Sequence, residues 1–230
     1  MSGFISIRKS IRWLPGVMNE PTSTIVLTSP QRRFVDLRIL KDENGSIEGG
    51  SLPLSLSRLD WAIAGTSSST TTCDIEGKQV SRSRWVHWID SRTSTTENVT
   101  DEGDMFTQLD GTTIEKGYMM NPDTGINTAY EEVWDDEDVH STDTAQVCVV
   151  LKYENFDDRG LVIRLGRYSQ GFMKIGEQTS LERWEWIDRA ACNVRIGTDE
   201  LPCKLAMEKT FLLGEEVQVA GRSWIVVEIA

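Results

Sequence analysis

Arg84-Trp85-Val86-His87-Trp88-Ile89-Asp90 returns downstream as Arg183-Trp184-Glu185-Trp186-Ile187-Asp188. An apolar run closing on glycine precedes each copy, Trp61-Ala62-Ile63-Ala64-Gly65 and then Leu161-Val162-Ile163-Arg164-Leu165-Gly166. Two echoes in the same order predict a duplicated unit, because chance would not be expected to preserve both content and order. Aligning the copies on Trp-Ile-Asp sets Val86 against Trp184 and Trp88 against Trp186. Strand alternation then predicts Val86, Trp88, Trp184 and Trp186 on an inner face, with Trp85 and His87 on the outer one. On that register, Trp88→Ala and Trp186→Ala are each expected to cost ~3–5 kcal/mol.

Strand patterns dominate on either side of these phrases: 24–28, 33–40, 146–152, 160–165, 217–219 and 223–229. Turn-forming clusters such as Glu43-Asn44-Gly45, Asn121-Pro122-Asp123 and Ala220-Gly221 separate them. Helical periodicity is confined to short candidates at 55–64 and 204–211. Many short antiparallel strands predict an all-β fold, and a duplicated meander predicts two β-barrels in tandem with a few short helices. The predicted units are 1–138 and 139–230, parting in the polar stretch after the run Asp135-Asp136-Glu137-Asp138.

The first fourteen residues have two readings. Phe4, Ile7, Ile11 and Leu14 make a helical stripe beside Arg8, Lys9 and Arg12, as in a mitochondrial presequence. The same stretch also alternates, with Ile5, Ile7, Ile11 and Trp13 opposite Ser6, Arg8, Ser10 and Arg12, as in a half-buried strand turning at Pro15-Gly16. The strand is the preferred reading.

Charge narrows the partners. Between Glu97 and Asp138 thirteen acids stand against one base, Lys116, so the whole net charge of −12 lies in that segment. Such a segment repels phosphate backbones and excludes nucleic acid as an expected partner. The four cysteines form no C-x-x-C pair, so a reducing compartment and a cytoplasmic location are expected. The sequence holds no apolar stretch long enough to span a membrane as a helix.

Gly160-Leu161-Val162-Ile163-Arg164-Leu165-Gly166-Arg167-Tyr168-Ser169-Gln170-Gly171-Phe172 resembles the signature of a fungal family, the Hri family, named for association with a casein-kinase-I-type protein kinase. Trp61-Ala62-Ile63-Ala64-Gly65-Thr66 and Gly221-Arg222-Ser223-Trp224-Ile225-Val226-Val227-Glu228 extend the likeness over most of the chain. The resemblance implies a cytoplasmic protein of two similar calycin/lipocalin-like barrels, without an established catalytic activity. Residues 98–138 match the pattern poorly.

Each candidate site stands beside a plainer reading. Arg167 and Gln170, between glycines, offer a cation and an amide to an anion or a peptide carboxylate; the plainer reading is a strand turn with Arg167 paired to an acid. Trp88, Trp184 and Trp186 line either ligand pockets or filled cores, and filled cores are expected. Asp138 lies just upstream of Ser141 and Thr142, which makes both hydroxyls candidate phosphoacceptors for such a kinase, against a solvated linker. With two histidines in the chain, His87 set outward and His140 in the linker, no nucleophile–base pair, haem ligand or cofactor site is expected. The expected function is therefore a non-enzymatic interaction protein offering an acidic surface, a partner or substrate of a casein-kinase-I-type kinase. A barrel binding a small apolar ligand is the alternative.

Overall fold

The computed structural model describes residues 3–47, 53–73, 77, 79–140, 146–187 and 190–230. The chain is all-β: one closed eight-stranded antiparallel barrel followed by a second sheet. Strands β1 (Phe4–Trp13), β2 (Thr22–Thr28), β3 (Arg33–Leu40), β4 (Leu59–Cys73), β5 (Gln79–Asp90), β6 (Thr100–Thr107), β7 (Thr113–Met120) and β8 (Asn127–Glu137) run up and down in chain order, and β8 closes on β1. The presequence-like stretch is thus the first strand, its Ile5 buried and its Arg8 facing the opposite way. Residues 98–138, where the resemblance is weakest, supply β6, β7 and β8, three of the eight staves.

The second sheet contains β9 (Cys148–Asn155), β10 (Asp158–Leu165), β11 (Tyr168–Ile175), β12 (Gln178–Trp186), β13 (Ala190–Ile196), β14 (Glu216–Val219) and β15 (Arg222–Ile229), in the order β13-β12-β11-β10-β9-β15-β14. The end strands β13 and β14 do not pair among the described residues, so the sheet is open where a second closed barrel was expected. Its hydrophobic surplus is covered in two other ways. One face lies on the barrel, and the other is roofed by the helix α1 (Cys203–Glu208) and by Phe211. Of the two helix candidates, 204–211 overlaps α1, while 55–64 holds a single 3-10 turn at Leu56–Arg58 before β4 begins. The Ala220-Gly221 turn closes the β14–β15 hairpin with both residues at positive φ, 50° and 76°, the pairing that matches strand twist in a two-residue loop.

The main core lies outside the barrel. Leu27, Val35, Leu37, Ile39 and Ala62 on the outer face of β2, β3 and β4 are buried against Val150, Leu161, Ile163, Phe172 and Leu181 of the second sheet. Each large apolar side chain so buried contributes roughly 1.5–3 kcal/mol. Polar groups fasten the same seam. Arg183, fully buried, donates to Gln170 Oε1 at 2.6 Å, to Ser23 Oγ at 2.9 Å and to the Leu37 carbonyl at 2.9 Å. Gln170 in turn donates to the carbonyls of Ile25 and Val35.

This arrangement inverts the register expected for β5. Trp85 and His87 point into the barrel, and Val86 is 40 % exposed on the outside. Ile89 pairs with Ala64 and His87 with Gly65, leaving Trp88 as the extra residue of a bulge. A Cβ on Gly65 would collide with the Val86 carbonyl oxygen, so glycine is what permits the close approach here. The repeated phrases therefore occupy unlike places. β4 and β5 are hydrogen-bonded neighbours, whereas β10 and β12 are separated by β11.

Candidate functional site: the barrel interior

Alternation that turns Leu27, Val35 and Leu37 outward turns Val26, Asp36 and Arg38 inward, and the result is a cavity of about 370 Å³ inside the barrel. One part of its wall is apolar: Val26, Phe34, Ile63 and Trp134 form a buried cluster with Trp85 and Met119. Toward the β4–β5 hairpin the wall carries hydroxyls from Ser67, Ser69, Ser81 and Ser83. The remaining part is charged.

That charged floor is built from paired groups. Arg8 donates to Glu132 Oε1 at 2.5 Å and to Glu20 Oε2 at 2.9 Å. Arg38 reaches Asp36 Oδ2 at 2.9–3.0 Å and Glu132 Oε1 at 3.2 Å. His87 Nδ1 lies 2.8 Å from Asp90 Oδ2 and Nε2 lies 3.1 Å from Asp101 Oδ2. Ionised carboxylates only accept, so both ring nitrogens donate and the ring is an imidazolium. Burial opposes that charge, yet the hydrogen bonds and charges of Asp101 and Asp90 prevail, and the His87 pKa rises to about 9. Asp90 is correspondingly lowered despite its burial, helped by Trp61 Nε1 donating at 2.9 Å.

Glu115 behaves oppositely. Burial and the neighbouring Glu132 charge push its pKa up to about 8, against the Tyr130 hydroxyl that donates to it at 2.6 Å. Asp36 is also raised, by burial, against the pull of Arg38. Two buried polar atoms on the cavity wall make no hydrogen bond among the described residues: Asp36 Oδ1, an acceptor, and Trp134 Nε1, a donor. Leaving such a group unsatisfied costs about 1–3 kcal/mol.

The sequence-derived candidates lie elsewhere. Trp184 is buried and Trp186 half-buried on the face of the second sheet roofed by α1, while Trp88 sits outside the barrel, with Lys152 Nζ 4.5 Å from its ring centroid. Arg167 lies in the β10–β11 turn and pairs with Glu137 and Glu185; Gln170 is buried in the seam, so the two do not form one loop site. Ser141 and Thr142 fall outside the described residues. The expected outward His87 is an inward one, and both of its nitrogens are taken. Part of the expected acidic surface is engaged in ion pairs: Glu131 with Arg12 and Lys116, Glu132 with Arg8 and Arg38, Asp104 with Arg82, Asp135 with Lys9. Asp36, Glu115, Tyr130, Glu132 and Trp134 escaped the sequence reading. The available signal was Phe34-Val35-Asp36-Leu37-Arg38, where opposite charges hold every second position of an apolar strand.

Comparison with known proteins agrees with this architecture. The model of the family described as Protein HRI1 matches residues 4–228. The chain belongs to the HRI1 family. In structure this HRI1-family chain is similar to the uncharacterized protein YLR301w from Saccharomyces cerevisiae, with a TM-score of 0.77 and 19 % sequence identity over 100 % of both chains. That likeness is one of fold. No curated protein matches the chain. Among the described residues, no helix of this HRI1-family member is long and apolar enough to cross a membrane.

Proposed function

We propose that this HRI1-family barrel is a binding protein that holds a small amphipathic molecule in its interior. One observation carries the reading: a cavity of about 370 Å³ inside a closed barrel, within the usual size range of small-molecule sites, is walled in part by Asp36 and Trp134, whose buried acceptor Oδ1 and buried donor Nε1 have no hydrogen-bond partner among the described residues. The apolar body of a ligand packs against Val26, Phe34, Trp85 and Trp134, and its polar head meets Asp36 and Trp134. Binding without turnover is part of the proposal, since His87 is held between two carboxylates and is no free base. An adaptor for a casein-kinase-I-type kinase has less support, because several of the acids that were to form its docking face are paired within the chain.

Two of the eight tryptophans line the cavity, which makes fluorescence the direct probe. Titration with 1-octanol and other short amphiphiles should change the emission saturably, and Val26→Phe, which fills the cavity, should weaken binding by about tenfold or more. No saturable change with any amphiphile, or equal binding by the filled variant, would overturn the reading.

A further inference from the structure

We propose that the molecule held in the barrel carries a cationic, ammonium-type head group, an inference that rests on the ligand-binding reading above. The charged floor is short of positive charge. It contains six carboxyls, Glu20, Asp36, Asp90, Asp101, Glu115 and Glu132, against three cations, Arg8, Arg38 and His87, and the cavity wall adds one charge of each sign, Asp136 and Arg32. Arg8, Arg38 and His87 are each already shared between two carboxylates. Arg92, stacked 4.2 Å from the Trp61 ring centroid, is paired outside this cluster with Asp60.

What remains on the cavity wall is acceptor capacity. Asp36 is 4 % exposed, and its Oδ1 is unpartnered among the described residues. Glu115 faces Glu132 and Tyr130 from β8, Asp101 from β6, His87 from β5 and Arg38 from β3, and among the described residues its side chain takes one hydrogen bond, from the Tyr130 hydroxyl. An anionic head placed here meets carboxylates and spent guanidinium groups. An ammonium meets the carboxyls of Asp36 and Glu115 and the aromatic side chains of Phe34, Trp85 and Trp134, whose ring faces favour cations electrostatically.

The raised Glu115 pKa, about 8, accompanies this shortage: burial and the Glu132 charge keep a proton on the carboxyl against the pull of Tyr130 and Arg38. A bound ammonium replaces that proton. Affinity for an amine therefore rises as pH climbs through about 8, while the alkylammonium itself, with a pKa in the lysine range near ~10.4, stays charged.

Three probes with one chain length test this: octylamine, 1-octanol and octanoate, titrated by tryptophan fluorescence. Octylamine should bind about tenfold more tightly than 1-octanol, and octanoate more weakly than either. Asp36→Asn should erase most of the amine preference, read as the ratio of octylamine to 1-octanol affinity. Glu115→Gln, which keeps an acceptor for Tyr130, should abolish the rise in amine affinity across pH 8. If 1-octanol or octanoate binds as tightly as octylamine, the cationic head is overturned and the barrel-binding reading stands. If none of the three binds, both fall. The probe comparison needs only the unmodified protein, so a variant that fails to fold does not spare the proposal.

Discussion

His87 shows how two carboxylates turn one buried side chain into a source of pH dependence. Its pKa rises from 6.5 to about 9, so the folded chain holds this proton more tightly than the unfolded chain does. The resulting stabilisation, on the order of 3 kcal/mol, is complete below about pH 6.5 and is lost as pH rises through about 9. Glu115 works in the same direction, because its pKa rises from 4.5 to about 8 and its contribution fades as pH passes that value. The melting temperature should accordingly fall from about pH 6 to about pH 10. His87→Gln should flatten the upper part of that decline. Melting curves of the unmodified protein that do not move over this range would contradict the two-carboxylate clamp.

The strands carry an unequal load, and the tryptophans report it. Trp224 of β15 is fully buried, packs 5.6 Å from the Tyr153 ring centroid, and lies over Gly160, where a Cβ would strike its ring. Trp224→Ala should cost ~3–5 kcal/mol in urea denaturation. Trp88 and Trp186 are half-buried, so Trp88→Ala and Trp186→Ala should each cost less than ~2 kcal/mol, below the value that the aligned phrases implied. A larger loss at Trp88 than at Trp224 would mean that the bulge at Gly65 and His87 is misplaced. Periodicity of two in β2, β3, β9 and β10 was plain in the sequence, since each alternates or is apolar throughout. β6 and β7 were not legible, because their inward positions hold Asp101, Gly103, Met105, Thr113 and Glu115 rather than a uniform apolar series.

Across the whole molecule, barrel and sheet share a core, so neither buries its apolar face alone. Fluorescence and far-ultraviolet circular dichroism should therefore trace one coincident unfolding transition. Arg183 is the buried polar fastener of that seam, its own pKa lowered to about 10 by burial. Arg183→Leu strands Gln170 Oε1 and the Leu37 carbonyl without a donor and should destabilise the chain by about 3 kcal/mol. Two separated transitions in the unmodified protein, or no loss in the variant, would show that the two layers fold independently.

Composition and alternation by themselves determined that this chain is built of short antiparallel strands, that the first residues form one of them, and that Ala220-Gly221 turns a hairpin, because backbone geometry allows each pattern few alternatives. Only the tertiary structure decided which side of each strand is the core. An apolar face needs a covering layer, and a sequence does not say whether that layer lies within the barrel or outside it. Here the second sheet covers the outside, and the interior is left to charges, hydroxyls and a cavity.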